Sequence, residues 1–562
     1  MNGISLTANP ASVSDPVWIP QDLRVPRDDR TVFAKPDLSV ASSRADANRE
    51  LLDLASVSLQ GRTIQQLREW SRQEVLKLAC TYTEKMTGQT AGNVDPAAVL
   101  FATGHQPELY HPGVWIKNFA VSAWARQSKG VGLNLVIDND TLSKRHVSVP
   151  IGDRLRPEVT QIPFDLDASS CPWEEVTLSD AAEFNRFPDR VGDAMRAWDV
   201  DSLVHRFWPA GQVESGAKLR DVFTASRMQL ERSWNSGNLE VPLSSVCETD
   251  PFLWFAGWVL AQPERFREIH NQALHEFRVV NKVRSGSRPV PDLVRQDEWT
   301  ESPFWIWREG DSQRARLFAR QTGRETILSD GRNEIARFPL DASMDACCAV
   351  ETLRELPRRG IRLRTRALTT TLFARLCLSD LFVHGIGGAK YDEVTDRLIT
   401  RLLGIPAPKF MTLSCTLHLP LGQPFDVTSS ELTRLRERQR DLQWNPERSL
   451  SRADDPEIAR LIDRKEQLIQ EHHQRTTGTS VDRVRVRREN RHRHQELRSV
   501  SEQLSRWTSS QQSQLSAEIE RTEQELAANK VLKNREFSFV LYPEKTISEF
   551  LSNAVQPTAP AK

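Results

Sequence analysis

The chain has 562 residues, 39% of them hydrophobic and 27% charged, with 75 basic side chains balanced by 75 acidic ones. That length exceeds one ordinary core and predicts several folded units, and the 15 tryptophans do not fit a disordered chain. Balanced charge removes any whole-chain attraction to nucleic acid or an anionic membrane, and seven scattered cysteines without CxxC spacing argue against a disulfide framework or a zinc site.

No basic start followed by an apolar core opens the sequence, and no apolar run approaches the roughly 20 residues of a spanning helix. A soluble, cytoplasmic protein without membrane contact is expected. Residues 1–44, rich in Pro, Asp and Ser, read as an N-terminal arm. "ANRELLDLASVSLQ" and "TIQQLREWSRQEVLKLAC" carry apolar residues at helical spacing and predict two amphipathic helices. An α/β core spans 45–428, and its sheet starts where Val99, Leu100 and Phe101 run into Gly104, as a strand buried on both faces does. Pro112 and Gly113 open a helix in which Val114, Ile116, Phe119, Ala120 and Ala123 share a packing side. A second strand runs from Leu133 to Ile137 and stops in the acidic tip Asp138, Asn139, Asp140. This βαβ unit has a right-handed crossover that puts its strand ends at one rim, where open α/β sheets bind ligands.

Residues from about 150 to 290 read as a largely helical insertion, and those from about 295 to 345 as a small antiparallel meander with turns at Glu309 to Ser312 and Ser329 to Asn333. A second glycine-rich element follows. Leu381 to Val383 predict a strand, Gly385, Gly387 and Gly388 a tight connection, and Ala389 to Leu403 a helix with Asp392 and Glu393 in its first turn and Gly404 and Pro406 at its end. From 429 to 532 Arg, Glu, Gln and Ser dominate and the sparse apolar residues are periodic. Ile458, Leu461 and Leu468 follow the start signal Asp455-Pro456; Leu497, Val500, Leu504 and Trp507 repeat the spacing; Leu515, Ile519 and Leu526 continue it in a shifted phase, like a stutter. The prediction is an antiparallel coiled-coil arm of two long helices reversing between Thr476 and Asp482. Residues 533–562 return to the core through "REFSFVLYPEK", read as a strand, and a short helix.

His105 and His111 flank a turn at the end of the first strand, placed either to face phosphate charge or only to satisfy a buried turn. Gly104 and Gln106 share that turn, Lys117 faces the same rim from the helix, and Asp138 or Asp140 has the chemistry to hold an ammonium or a magnesium ion. "HGIGGAKYDEVTD" offers backbone N–H groups at a helix start, with His384, Gly385, Gly387, Gly388, Lys390 and Asp392 as ligand-binding candidates, although the GK[ST] ending of a P-loop is missing. Seven arginines from Arg483 to Arg498 read as a solvated helix face, so nucleic acid is not the expected partner. Cys377 and Cys415 lie in apolar surroundings and read as core.

The position of His105 and His111 is similar to that of the HxGH histidines in adenylate-forming nucleotidyltransferases, but here the two are six residues apart and the signature itself is absent. "ATGHQPELYHPGVWIKNFAVSAW" resembles the TGQQ-type segment of the cysteine ligases of bacillithiol biosynthesis, and "LFVHGIGGAKYDEVTDRLITRLLGIPAPKF" resembles their GGPGE-type segment. "ESPFWIWREGDSQRARLF" resembles a further shared stretch, so the likeness runs over most of the chain from about residue 95. The resemblance implies a Rossmann-like core of nucleotidyltransferase type with a helical insertion, a meander and a dimerising coiled coil. It also implies attachment of cysteine to an amino-sugar malate conjugate. By position, His105 and Gln106 stand for the paired glutamines, Lys117 for the helix lysine, and Gly387 and Gly388 for the later glycines. Three departures fall at this site: His105 replaces a glutamine, the acidic "SEDHD"-like tip is reduced to Asp138-Asn139-Asp140, and Ala389-Lys390-Tyr391 replaces proline-glycine-glutamate.

The first expectation is an ATP-dependent ligase, with magnesium as a companion ion, that activates an amino acid carboxylate as an acyl adenylate and passes it to an amine. In it His105, His111 and Lys117 are catalytic. The alternative is a non-catalytic small-molecule-binding or scaffold protein that dimerises through its coiled coil.

Overall fold

Among the described residues, which in this computed structural model are 22–142, 144–167, 169–311, 313–475 and 483–555, six strands form the central sheet. Their order is Thr31–Lys35, Met411–Thr416, Leu381–His384, Leu100–His105, Val131–Val136 and Leu239–Pro242. All neighbours are parallel except Thr31–Lys35, which runs antiparallel along Met411–Thr416. Numbered along the chain, the five parallel strands stand in the order 5-4-1-2-3, so the winding reverses between Leu100–His105 and Leu381–His384. Strands covered on both faces need continuous apolar sequence, and all six residues of Val131–Val136 are buried.

The predicted helices fall at Ala41–Asp53 and Ile64–Thr87. Thr63 and Gln66 close a capping box at the start of the second. Pro112–Gln127 packs on Met411–Thr416, Leu100–His105 and Val131–Val136. The main core lies around Leu133, Leu135, Phe252, Phe255, Phe304, Phe373 and Leu398.

Three expectations around this sheet need correction. The segment read as an N-terminal arm contributes the edge strand Thr31–Lys35, because the alternating "TVFAK" supplies the unpaired side of Met411–Thr416 with a partner. The supposed insertion contains the helices Ala181–Met195, Leu219–Ser233, Asp250–Leu260 and Pro263–Val280, but it also contains the sheet strand Leu239–Pro242. "REFSFVLYPEK" makes no strand: Phe539–Leu541 is a 3-10 turn, buried with Phe537 and Tyr542, and only the following helix, Glu544–Ala554, is as predicted.

The meander is a separate antiparallel sheet of Arg295–Gln296, Trp299–Arg308, Ala315–Thr322, Glu325–Ser329 and Glu334–Pro339, and Ile361–Thr365 adds a strand beside Trp299–Arg308. The later glycine-rich helix is Ile386–Leu403, three residues longer at its start than predicted, so Asp392 and Glu393 sit beyond its first turn. It ends on Gly404 at φ +70°, a left-handed conformation that favours glycine.

The chain divides into two compact units, the first comprising residues up to Val149, Thr160–Leu419 and the chain from Arg535 onward, the second Pro150–Val159 with Pro420–Asn534. Among the described residues of the second unit the periodic sequence forms four helices rather than two. Ser429–Trp444 packs on Ser509–Leu532 through Leu442, Leu515 and Ile519, and Pro456–Arg475 packs on Arg483–Ser505 through Ile458, Ile462, Leu468, Val500 and Leu504. Asp455 starts the second of these by accepting the Glu457 N–H at 2.7 Å. The phase shift after Leu504 is a break between helices at Arg506 to Thr508, not a stutter within one. The reversal expected between Thr476 and Asp482 lies outside the described residues. From the arginine-rich helix, Arg498 pairs with Glu502 at 3.0 Å and Glu496 accepts Arg464 at 2.7 Å, while Arg493 is buried rather than on a solvated face. No helix among the described residues is long and apolar enough to cross a membrane.

Candidate functional site

Ligands of doubly wound sheets bind beyond the carboxyl ends of the strands, where the order reverses. Here that point lies between His105 and His384, the last residues of Leu100–His105 and Leu381–His384. A cavity of about 350 Å³ opens there. Gly104, His105, Gln106, Asn139 and Asp140 line it from the first two strands, and His384, Gly388 and Tyr391 from the later glycine-rich element. The two segments singled out in the sequence, some 280 residues apart, therefore share one cavity.

His105 is buried and its ring is occupied. Asn118 donates through Nδ2 to Glu231 Oε1 at 2.8 Å, which leaves Asn118 Oδ1 to accept from His105 Nε2 at 2.9 Å. His105 Nδ1 faces the Gln106 carbonyl at 3.1 Å, and in the neutral ring this nitrogen carries the lone pair, so Nε2 makes the ring's one donated bond. Burial, with Lys117 and Arg227 nearby, holds its pKa well below the usual histidine value, so the imidazole is neutral. Gln106 points at Asp140, donating to Oδ2 at 2.9 Å. Lys117 is buried behind the first strand, where its Nζ donates to the Gly104 carbonyl at 3.1 Å.

His111 is not in the cavity. It is the N-cap of Pro112–Gln127, where Nδ1 accepts the Gly113 N–H at 3.1 Å, and burial beside Arg535 and Lys117 pushes its pKa down to about 3. The structure thus gives it the turn-packing role. His111→Ala should lower stability by about 1 kcal/mol, and His111→Asn, which restores a capping oxygen, should recover most of that in urea unfolding. A His111→Ala chain as stable as wild type would return the residue to the chemical candidates.

Asp138 is likewise structural, because it is completely buried. Its Oδ1 accepts the Ser244 N–H at 2.8 Å and its Oδ2 the Arg220 guanidinium at 2.7 Å and the Ser244 hydroxyl, so both oxygens are engaged within the protein, away from any ligand. Asp140 does line the cavity, held by Gln106 and by Arg314 Nη2 at 3.2 Å.

On the other side, His384 Nε2 lies 2.9 Å from Asp392 Oδ2. Asp392 also accepts Arg375 Nη1 at 2.6 Å and the Thr371 hydroxyl at 2.6 Å. Burial alone would raise this carboxyl, but Arg375, His384 and Thr371 hold it well below the usual carboxylate range. Asp392 therefore orients His384 rather than meeting a ligand. Gly388 is required by that ring: a Cβ there would stand 2.9 Å from His384 Nδ1. Gly385 and Gly387 have open space around them, and Lys390 is exposed on the helix and is not part of the lining.

The residues that the sequence reading missed come from the antiparallel sheet. Trp305 lies in the cavity with two guanidinium groups over its ring, Arg366 at 4.2 Å and Arg314 at 4.8 Å. Arg314 is fixed by the Asn139 carbonyl at 2.8 Å and by Asp140. Arg366 is ion-paired with Glu301 at 2.7 Å, while its Nε is buried without a protein acceptor. A buried donor left open in a folded chain calls for a partner. His270, from Pro263–Val280, completes the wall beside Leu293. The signal for Arg366 was present in "RTRALTTTLF", where a strand passes directly into a threonine-rich helix start. Nothing local marked Arg314 or His270.

Among the described residues no group of three or more His, Cys, Asp or Glu side chains is arranged to hold a metal ion. No family model matches the chain, and no curated protein is similar enough in sequence to lend it a function.

Proposed function

We propose that the cavity between His105 and His384 binds a small anionic substrate, and that the chain is an ATP-dependent ligase of the kind it resembles. It joins an amino acid carboxylate to an amine through an activated acyl intermediate, on a Rossmann-like core, and pairs with a second copy through its coiled-coil arm. The observation that carries this reading is the pair Arg314 and Arg366 on Trp305, at the point of strand-order reversal. Guanidinium forks match carboxylate and phosphate oxygens, and the indole they stack on holds them in place. Within a partly closed cavity such fixed cations stabilise developing negative charge without reorganising.

A magnesium ion would arrive on the nucleotide phosphates, as it usually keeps waters and takes only one or two protein carboxylates. Asp140, the acidic side chain in the lining, is already held by Arg314 and Gln106. A second reading, binding without catalysis, is favoured by the bond that His105 Nε2 already makes to Asn118 and by the internal pairing of Asp138 and Asp392.

The test is a thermal-shift screen with ATP, ADP, AMP and amino acids, with and without magnesium. A ligand at a hundred times its Kd stabilises by about 2.7 kcal/mol. A shift with nucleotide or amino acid that disappears in Arg366→Ala supports the cavity as the site, and pyrophosphate exchange in wild type then supports the ligase. A shift without exchange selects the non-catalytic reading, and no shift with any of these compounds removes the ligase proposal.

A further inference from the structure

His270 lines the same cavity and lies at the end of a chain of hydrogen bonds that fixes its tautomer. The Asn271 amide is clamped by one residue: Nδ2 donates to the Leu293 carbonyl at 2.8 Å, and Oδ1 accepts the Leu293 N–H at 2.9 Å. The amide cannot turn over without losing both bonds. Its Oδ1 is therefore the group that faces His270 Nδ1, at 3.0 Å, and a carbonyl oxygen can only accept. Nδ1 must carry the ring proton.

In the neutral ring the lone pair then sits on Nε2. Among the described residues no hydrogen bond reaches that atom, although the side chain is 4% exposed and belongs to the cavity lining. The ring is held by stacking on Phe266, centroid to centroid 6.3 Å. Burial pushes its pKa down to about 4 despite the Asn271 bond, so the ring stays neutral at ordinary pH. His105 and His384, by contrast, each place Nε2 against a partner.

We infer that His270 is the fixed hydrogen-bond acceptor of the cavity, and that the ligand it selects is an anion carrying an N–H or O–H donor. The inference rests on the reading of the cavity as an anion site. The arginines on Trp305 take the anionic group, and Nε2 takes the donor. Carboxylates and phosphates without a donor leave a buried lone pair unanswered and bind less well. His270 thus sets specificity rather than strength.

Two measurements on the full chain test this. In protein labelled with ¹⁵N-histidine, the His270 signal, assigned by its disappearance in His270→Phe, should show Nδ1 protonated and Nε2 bare. A protonated Nε2 overturns the inference whatever the variant does. Binding is then compared within matched pairs, L-lactate against propionate and phosphoethanolamine against ethyl phosphate. Wild type should prefer the donor-bearing member by roughly three- to tenfold, the worth of one hydrogen bond, and His270→Phe should bind both members alike. Equal binding of the members by wild type, or a preference that survives in His270→Phe, overturns the role of His270 and leaves the anion site standing. If wild type binds none of the four anions, the anion-site reading itself falls and takes this inference with it.

Discussion

Asp380→Ala is expected to cost about 3–5 kcal/mol of stability, the usual consequence of removing one member of a buried ion pair. The carboxylate is fully buried between two arginines of Ile64–Thr87: Oδ1 accepts Arg68 Nη2 at 2.8 Å and Oδ2 accepts Arg72 Nη2 at 2.5 Å. Oδ2 also accepts the Leu100 N–H at 2.8 Å, and the Asp380 N–H donates to the Leu100 carbonyl at 2.8 Å. One residue thus ties the starts of Leu100–His105 and Leu381–His384, the strands that flank the cavity. Burial and the neighbouring Arg72 already pull the Arg68 guanidinium down to about 10, which measures how poorly it tolerates the interior. Without Asp380 two guanidinium groups remain buried and uncompensated. Asp380→Asn keeps an acceptor for the strand N–H but not the charge, and should fall between alanine and wild type. Replacing Arg68, Arg72 and Asp380 together by apolar residues of similar volume should recover most of the loss, because the desolvation cost leaves with the charges. Urea unfolding followed by tryptophan fluorescence reads all three, and a loss below about 1 kcal/mol for Asp380→Ala would sink the argument.

What could be read in the sequence follows the range of the forces involved. Leu100–His105 and Pro112–Gln127 were legible because an apolar run and a proline at a helix start are local signals. Leu239–Pro242 was not, since it carries Glu240 at a fully buried position. That carboxylate is tolerated only because Arg227 meets it at 2.6 Å, and a run of "LEVP" does not announce such a partner. Asp138 looked like an open acidic tip for the same reason: its partners Arg220 and Ser244 stand 82 and 106 residues further along. Both glycine-rich segments line the cavity, yet the cations in it, Arg314 and Arg366, come from or beside a sheet read as a simple meander. In the helices of the second unit the apolar periodicity was visible, but periodicity does not distinguish a stutter from the break at Arg506 to Thr508. "FSFVLY" reads like a strand, but its backbone bonds elsewhere: the Phe539 N–H donates to the Tyr110 carbonyl at 2.8 Å and the Tyr542 carbonyl accepts the Leu203 N–H at 2.8 Å.

Lys117→Met should stabilise the protein at neutral pH and destabilise it at high pH. The Lys117 side chain is 4% exposed on Pro112–Gln127, and burial pushes its pKa from the ordinary 10.5 down to about 8. Below pH 8 folded and unfolded chains both hold the proton, and the folded chain carries the full cost of a desolvated ammonium. Between about 8 and 10.5 only the unfolded chain holds it, so unfolding takes up a proton and stability rises with pH. The gain across that window is about 3 kcal/mol. Methionine has nearly the volume of lysine and no charge, so the variant is spared the cost at pH 7, while the Gly104 carbonyl loses its donor at a cost of about 1–2 kcal/mol. The variant should therefore be about 1–2 kcal/mol more stable than wild type at pH 7 and should fall below it by pH 10.5. A difference that does not change over this range would mean that the amine is not desolvated as its position implies. The same variant separates structure from chemistry at the cavity. If the amine acts on a ligand through the strand end that it bonds, Lys117→Met gains stability at pH 7 and loses ligand binding or turnover, whereas a purely buried lysine yields the first effect without the second.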